Sequence, residues 1–230
     1  MSSVDAATLA RAIDQTLLKP TTGMAEAAAW MEANRSFGFA SLCVSPFLVP
    51  LAAQRLAGTE TVVCSVAGFP LGYALTETKV EEAAHLVELG CAEVDMVMNF
   101  AALLEGEDAY VRDDVRAVVD VVEERSEGTA LVKVILETGH LSEDDVARGC
   151  ALCVEAGAAF VKTSTGFGPR GASVRDVEIM RATVGADVGV KAAGGIRDLE
   201  TALAMIDAGA NRIGTSAGSD ILAAARAAGM

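Results

Sequence analysis

Three lysines recur at a fixed stride, and each one closes a short apolar run. Lys133, Lys162 and Lys191 are 29 residues apart and end the runs Thr-Ala-Leu-Val, Ala-Ala-Phe-Val and Asp-Val-Gly-Val. The chain has only two other lysines, Lys19 and Lys79. If the three runs are successive strands, their amines converge, and a buried cluster of amines lowers the pKa of its members toward nucleophilic reactivity. The spacing therefore predicts amine catalysis on a carbonyl compound.

A wider repeat surrounds these lysines. In several places a glycine ends an apolar, helix-like segment, and the fifth residue after it is polar or reactive, as from Gly90 to Asp95 and from Gly157 to Lys162. A glycine just past a helix suits the left-handed C-cap, and an apolar run that does not alternate predicts a strand buried on both faces. The repeating unit is a helix, a glycine turn, a buried strand and a loop.

Counting these units predicts eight strands. They are expected near residues 11–16, 39–44, 61–66, 93–98, 130–136, 159–163, 187–191 and 211–214. Strands that alternate with helices in this number favour one (β/α)8 barrel over residues 1–230, with reactive residues at the C-terminal ends of its strands. The second choice is a doubly wound open sheet. That fold would need a glycine-rich dinucleotide loop after the first strand, and the segment Ile-Asp-Gln-Thr-Leu at 13–17 has none.

Helix starts are visible between the strands. Thr78 with Glu81 and Ser142 with Asp145 have the spacing of capping boxes, and Asp198 is placed to cap the apolar segment that follows it.

Composition limits the classes of partner. Hydrophobic residues make up 52% of the chain and aromatic residues 4%, which predicts a core of Ala, Val, Leu and Ile. The net charge of −14 opposes binding to nucleic acid or anionic membranes, because phosphates would be repelled. An anionic substrate would need local lysines and helix N-termini. We find no export signal and no apolar run of membrane-spanning length, so a cytosolic protein is expected.

Cysteines and histidines do not predict a metal centre or a disulfide framework. The five cysteines are an odd number without an export signal, and the one Cys-x-x-C pair, Cys150 and Cys153, lies in a predicted helix. His85 and His140 are isolated from each other. We expect the cysteines to be mostly small core residues.

Longer motifs resemble those of the deoxyribose-phosphate aldolase family. The most specific are Phe-Val-Lys-Thr-Ser-Thr-Gly-Phe at 160–167, Val-Lys-Ala-Ala-Gly-Gly-Ile-Arg at 190–197 and Glu-Val-Asp-Met-Val at 93–97. Further matches lie at 13–17, 42–46, 66–72, 133–138 and 212–216. The resemblance implies a class I aldolase on a (β/α)8 barrel that uses a lysine iminium and neither metal nor cofactor. It implies a carbon–carbon lyase that reversibly cleaves 2-deoxy-D-ribose 5-phosphate to acetaldehyde and D-glyceraldehyde 3-phosphate, in deoxyribose catabolism.

The same resemblance implies roles for individual residues. Lys162 would form the Schiff base, and the positive charge of Lys191 would keep Lys162 partly neutral while Lys191 also moves protons. Asp95 would take and return protons through an ordered water. Asp14 and Thr16 would hold the hydroxyl side of the substrate.

Three further residues have supporting or open roles. Lys133 is expected to form an ion pair with a carboxylate on a neighbouring strand end. Glu137 is expected to orient side chains rather than to transfer protons. Cys43 could equally line the pocket or act in the reaction.

A phosphate site is predicted after the seventh and eighth strands. The contacts expected there are Gly194, Gly195, Gly214, Thr215 and Ser216, because the glycine turn uncovers backbone N–H groups and the second segment leads into a helix N-terminus. Thr165 and Gly166 could contribute from the sixth loop. Some family members carry a phosphate-binding lysine in that loop, where this chain has Gly-Phe, so phosphate binding is expected to depend more on backbone donors.

Two other functions stay open. One is a different class I sugar-phosphate aldolase on the same barrel, such as a transaldolase or a fructose-phosphate aldolase, and the other is a non-catalytic sugar-phosphate binding protein. Either would take a small phosphorylated sugar, and aldehydes are further ligands of an aldolase. We also expect the chain to form a homo-oligomer, a dimer or a tetramer.

Overall fold

The fold is a closed barrel of eight parallel strands. A computed structural model describes residues 5–230. Each strand pairs with the next along the chain, and the first strand also pairs with the last, which closes the barrel. The strands are β1 Ile13–Leu17, β2 Ser41–Val44, β3 Val62–Ala67, β4 Glu93–Val97, β5 Leu131–Ile135, β6 Phe160–Lys162, β7 Gly189–Ala193 and β8 Arg212–Thr215. The predicted barrel is confirmed, and the open sheet is wrong because the two edges that it would leave are paired.

Helices connect the strands and surround them. They are α1 Ala6–Arg11, α2 Met24–Asn34, α3 Val49–Leu56, α4 Thr76–Glu88, α5 Phe100–Leu104, α6 Asp108–Ser126, α7 Glu143–Glu155, α8 Val174–Val184, α9 Leu199–Asp207 and α10 Gly218–Ala227. Two short 3-10 helices, Pro46–Leu48 and Thr138–His140, follow β2 and β5. Within residues 5–230, none of these helices combines the length and the apolar character that crossing a bilayer requires.

The predicted strands and caps can be compared with the elements observed. Each predicted strand boundary lies within two residues of the observed one. The Ser142–Asp145 capping box is present, and Asp198 accepts a hydrogen bond from the backbone N–H of Thr201. The capping box at Thr78 is wrong, because α4 already begins at Thr76 and position 78 lies inside its first turn.

The main hydrophobic core lies between the barrel and its helices. Buried Val, Leu, Ile, Met and Ala side chains of strands and helices form one continuous cluster. The interior of the barrel is different, because buried charged side chains from β1, β4, β5, β6 and β7 meet there, together with the partly buried Arg212 of β8. Buried charges are strongly destabilising unless they are paired, so we expect each charged side chain in this interior to contact a group of opposite charge.

Strand register sets the height of each lysine in the barrel. Lys162 of β6 is the register partner of Lys191 of β7, so these two lie in one layer. Lys133 of β5 is instead the partner of Phe160, two residues before Lys162, and of Asp95 on β4. Although the three lysines are equally spaced in the sequence, Lys133 therefore lies one layer below the other two.

Candidate active site

The Asp95 carboxylate is the centre of the lysine cluster. Its Oδ2 accepts hydrogen bonds from Lys162 Nζ at 2.7 Å and from Lys191 Nζ at 2.6 Å. Its Oδ1 accepts from Lys133 Nζ at 2.8 Å and from the Cys64 thiol at 3.4 Å. All three lysines of the sequence repeat thus converge on one carboxylate. Oδ1 thus contacts the amine of Lys133 in the lower layer, and Oδ2 contacts the amines of Lys162 and Lys191 in the upper layer.

A second carboxylate, Asp14, lies beside this centre. Its Oδ2 is 2.5 Å from Lys191 Nζ, and its Oδ1 is 2.5 Å from an Arg212 nitrogen and accepts from the Ser41 hydroxyl at 2.7 Å. Asp14 is fully buried, and each of its two carboxylate oxygens is in an ion pair. The structure therefore places Asp14, expected to hold the hydroxyl side of the substrate, beneath the pocket, because two cations and a hydroxyl draw its carboxylate into the barrel.

Lys133 is held by two carboxylates of the neighbouring strand β4. Its Nζ lies 2.6 Å from Glu93 and 2.8 Å from Asp95, both on β4. Glu93 in turn contacts Arg212 at 3.1 Å. These ion pairs join the lower layer of the barrel to the Asp95 centre.

Two of the clustered lysines, Lys133 and Lys191, are more basic than the sequence suggested. Burial disfavours the ammonium of Lys133, but the carboxylates of Asp95, Asp14 and Glu93 outweigh it and raise the pKa of that amine well above its usual range. The pKa of Lys191 is likewise raised, because Asp14 and Asp95 outweigh burial. The expectation that clustering lowers the pKa of the amines is wrong for these two lysines, since buried carboxylates interleave with them.

The carboxylates are correspondingly held ionised. Burial alone would raise the pKa of Asp95, but Lys133, Lys162 and Lys191 hold it well below its usual value. The pKa of Asp14 is also lowered, because Lys191, Lys133 and Arg212 outweigh its burial. Neither carboxylate carries a proton at neutral pH.

A cavity of about 410 Å³ opens at the C-terminal end of the barrel. Its wall includes Lys162, which is 4% exposed, whereas Lys191 and Asp95 lie below the wall and are fully buried. Of the three lysines in the repeat, Lys162 is thus the one whose amine can meet a molecule in the cavity.

Eight of the ten predicted substrate contacts line this cavity. They are Thr16, Thr165, Gly166, Gly194, Gly195, Gly214, Thr215 and Ser216. Asp14 and Cys43 do not, and both are fully buried. Cys43 packs with Cys64 and Val66 instead, because strand β2 points its thiol into the barrel below the pocket.

The cavity also has two cationic side chains that the sequence reasoning missed. Lys19 follows β1, Arg197 follows β7, and both are exposed on the wall. Among residues 5–230, no carboxylate lines the cavity, although the protein as a whole carries a net charge of −14. The position of both residues just after a barrel strand was a signal that could have found them.

Glu137 holds the loop that follows β6. It lies just beyond the end of β5 in a left-handed conformation, with φ of 59°, and is 2% exposed. It accepts a short hydrogen bond from the Thr165 hydroxyl and a second from the Thr165 backbone N–H. A Cβ at Gly168 would lie 2.8 Å from its carboxylate, so the loop backbone passes directly over it. Glu137 is therefore placed to position Thr165 at the cavity.

Cys43, Cys64 and Asp95 are close enough together to be considered as metal ligands. However, the Lys133 ammonium lies 3.4 Å from Cys64 Sγ and 2.8 Å from Asp95 Oδ1. The Cys64 thiol itself donates a hydrogen bond to Asp95 Oδ1 at 3.4 Å. A lysine cation already occupies the electrostatic position that a metal ion would take.

Comparison with known proteins matches this geometry to one family. Residues 4–224 match the model of the DeoC/LacD family aldolases. The chain is 51% identical over 214 residues to deoxyribose-phosphate aldolase from Caldanaerobacter subterraneus, covering 93% of this chain and 92% of that protein. It is 50% identical over 221 residues to the Bacillus subtilis enzyme of that name, covering 96% and 97%.

Solved structures of aldolases have the same fold as this chain. A tetrameric deoxyribose phosphate aldolase from Aeropyrum pernix superposes with a TM-score of 0.87 at 31% identity, over 97% of this chain and 93% of that one. An aldolase called QR15 gives the same TM-score at 38% identity, over 97% and 96%. Family model, curated relatives and fold agree over nearly the whole length, and the chain belongs to the DeoC/LacD family of aldolases.

Proposed function

We propose that this protein is a deoxyribose-phosphate aldolase that cleaves 2-deoxy-D-ribose 5-phosphate to acetaldehyde and D-glyceraldehyde 3-phosphate through a Schiff base on Lys162. The observation that carries the proposal is the position of Lys162. Its amine reaches the cavity wall while it shares Asp95 Oδ2 with Lys191. The high identity to named deoxyribose-phosphate aldolases supports the substrate assignment over other sugar-phosphate aldolases.

The reaction begins on the neutral amine of Lys162. Its lone pair attacks the aldehyde carbon C1 of the open-chain sugar, and loss of water from the carbinolamine gives the iminium. Removal of the proton from the C3 hydroxyl then breaks the C2–C3 bond. Its electron pair flows into the iminium to form an enamine, and D-glyceraldehyde 3-phosphate leaves. Protonation of the enamine carbon and hydrolysis release acetaldehyde and restore Lys162.

The neighbours of Lys162 supply the proton transfers. Asp95 Oδ2 is within hydrogen-bond reach of both upper amines, so the Asp95 carboxylate can accept a proton released by Lys162, and the Lys191 ammonium can donate a proton and later take one back. The positive charge of Lys191 also disfavours a second positive charge on Lys162. We assign Asp95 and Lys191 the role of proton donors and acceptors on this basis.

The phosphate is proposed to lie at the far side of the cavity from β5. Gly194, Gly195 and Gly214 leave the backbone uncovered there, and Ser216 precedes the N-terminus of α10. Arg197 and Lys19 add positive charge at the cavity mouth. Phosphate recognition therefore combines backbone donors with two side-chain cations.

The reaction is proposed to need no metal ion. The iminium is the electron sink, and the Lys133 ammonium contacts two members, Cys64 and Asp95, of the one cluster of candidate ligands found among residues 5–230. The decisive assay measures acetaldehyde released from 2-deoxyribose 5-phosphate by the purified protein, with and without EDTA. Equal release under both conditions is expected. A protein that releases none, or that EDTA inactivates, would contradict the proposal.

We propose further that the chain assembles into a homo-oligomer. Large apolar side chains are exposed on the loop after β3, where Tyr73 is 70% and Leu75 69% exposed. The Aeropyrum pernix relative is described as a tetramer. Light scattering coupled to gel filtration is expected to give a dimer or a tetramer, and a monomer at micromolar concentration would contradict this.

A further inference from the structure

Seven ionisable side chains form one connected network inside the barrel. The cations are Lys133, Lys162, Lys191 and Arg212, and the anions are Asp14, Glu93 and Asp95. With every group ionised, four positive and three negative charges leave the network with a net charge of +1. Loss of one proton from one lysine would make the network neutral.

The four cations differ in how many carboxylates they contact. Lys133 has three such partners, Asp14, Glu93 and Asp95. Lys191 and Arg212 each have two. Lys162 has one, Asp95, and shares the same oxygen with Lys191. Lys162 is therefore the cation with the fewest carboxylate partners in the network.

Arg212 and Glu93 are remote from the cavity. Neither lines it, and both lie near the beginnings of their strands, β8 and β4, rather than at the C-terminal ends. Arg212 reaches Lys191 through Asp14, and Glu93 reaches Asp95 through Lys133. Glu93 is thus two ion pairs from Asp95, the carboxylate that holds Lys162, and Arg212 is three ion pairs from it.

Other charged or titratable groups face the network. Those on neighbouring elements are the thiols Cys43 and Cys64 on β2 and β3, Glu137 after β5, and the cavity cations Lys19 and Arg197. They contribute the same background in any variant that changes only Glu93 or Arg212.

We propose that Arg212 and Glu93 are positioning residues that set, in opposite directions, the pH at which Lys162 becomes the neutral nucleophile. The inference rests on the proposed Schiff-base role of Lys162. The Arg212 charge makes the network net positive and so favours release of the Lys162 proton. The Glu93 charge opposes that release.

The direction of each effect follows from the charge count. Arg212→Gln leaves three cations and three anions, so a neutral Lys162 would leave the network at −1, and the acid limb of the pH profile moves to higher pH. Glu93→Gln leaves four cations and two anions, which moves that limb to lower pH. Removing a unit charge that acts on Lys162 through these ion pairs, in a partly screened interior, is expected to move the acid limb by about one pH unit.

The double variant provides the sharpest control. Arg212→Gln with Glu93→Gln leaves three cations and two anions, and the net charge returns to +1. Its acid limb is expected to return to the wild-type pH. Arg212→Lys keeps the charge without the guanidinium geometry and is expected to keep the wild-type pH, even if its turnover falls. A role in packing alone would lower turnover without producing this pattern of opposite shifts and compensation.

The experiment measures two quantities across pH 5 to 9 for these four variants and the wild type. One is kcat/KM for 2-deoxyribose 5-phosphate. The other is the rate of reductive ethylation of Lys162 by acetaldehyde with cyanoborohydride, located by peptide mass mapping. The second readout needs no sugar cleavage, so it still reports on Lys162 in a variant with low turnover.

The outcomes separate this inference from the function on which it rests. Opposite shifts in the single variants, with restoration in the double variant, support it. Shifts in the same direction, or unchanged limbs in both single variants, overturn it. If Arg212→Gln does not fold, an unshifted Glu93→Gln is sufficient to overturn it. A wild-type protein that neither cleaves the sugar nor is ethylated at Lys162 would instead refute the proposed function itself.

Discussion

Lys162 and Lys191 donate hydrogen bonds to the same atom, Oδ2 of Asp95, at 2.7 and 2.6 Å. The two amines differ in access, because Lys162 reaches the cavity wall and Lys191 is sealed beneath it. They also differ in partners, because Lys191 has Asp14 as a second carboxylate. One carboxylate thus couples an accessible amine to a buried, strongly held cation. This coupling is the basis of the division of roles that we propose.

Removing the Lys191 charge should impair the nucleophile without removing it. Lys191→Leu leaves three cations against three carboxylates, so more alkaline conditions are needed before Lys162 is neutral. We expect turnover at pH 7 to fall by about 100-fold or more, because a charge and a proton carrier are both lost. The measurement is a pH profile of kcat with 2-deoxyribose 5-phosphate. Near-normal turnover at pH 7 would refute the role of Lys191.

Asp95→Asn separates proton transfer from iminium formation. Turnover should fall by a comparable factor, while ethylation of Lys162 by acetaldehyde and borohydride stays detectable, because the nucleophile is still present. The fold must be checked by circular dichroism, since three lysines lose their shared carboxylate. A folded variant with near-normal turnover would contradict the role of Asp95.

A negative charge at the phosphate site should discriminate between two substrates. Ser216→Asp places a carboxylate on the cavity wall before α10, where phosphate oxygens are expected. We expect KM for 2-deoxyribose 5-phosphate to rise by at least about tenfold through like-charge repulsion, with a much smaller change for unphosphorylated deoxyribose. Ala182→Asp adds the same charge on the exposed surface of α8 and serves as the control. Equal losses with both substrates would place the phosphate elsewhere or indicate damage to the fold.

The charged interior could be predicted only in part. Asp95, Lys162 and Lys191 were identified from motifs, and the barrel from the glycine and strand repeat. Glu93 was not singled out, although it lies two residues before Asp95 and side chains at this spacing face the same way along a strand. That period of two was a usable signal for a second carboxylate.

Other parts of the site depend on relationships between strands that sequence does not contain. Lys133 has the same stride as the other lysines, yet the register of β5 against β6 lowers it by two residues. Asp14 carries a motif match but turns inward, because Lys191 and Arg212 from strands distant in sequence meet it. The raised pKa of the buried lysines follows from these same long-range pairings.

A buried ion pair away from the site should stabilise the packing of helices α4 and α6. Lys79 of α4 and Asp114 of α6 are 2.7 Å apart, and both side chains are fully buried. Asp114→Ala leaves an unpaired ammonium there and should lower the free energy of unfolding by about 3–5 kcal/mol. Replacing both residues, as Lys79→Met with Asp114→Leu, should recover most of this loss.

Urea unfolding followed by circular dichroism measures these changes. The control is Arg125→Ala, which removes the exposed pair between α6 and Glu88 and should leave the unfolding midpoint unchanged within error. An Asp114→Ala variant as stable as the wild type would show that the buried pair does not stabilise the packing of α4 on α6.

Acid should destabilise the fold through Asp14. The pKa of its carboxyl is lowered in the folded protein from an ordinary value of 3.8. As the pH falls, the carboxyl is therefore protonated in the unfolded chain before it is protonated in the folded protein. The stability that it contributes is fully present above about pH 5 and is lost as pH falls through the folded-state pKa. Between pH 5 and pH 3, the free energy of unfolding of Asp14→Asn should therefore fall less steeply than that of the wild type. Parallel slopes would contradict the assignment.

Reductive trapping tests the central claim most directly. Incubation with acetaldehyde and borohydride should convert an iminium into a stable ethyl group, abolish activity, and place that group on Lys162 by peptide mass mapping. Lys162→Arg should carry no label under the same conditions. Ethylation of Lys191 or Lys133 in place of Lys162, or full activity in a protein labelled on Lys162, would contradict the account.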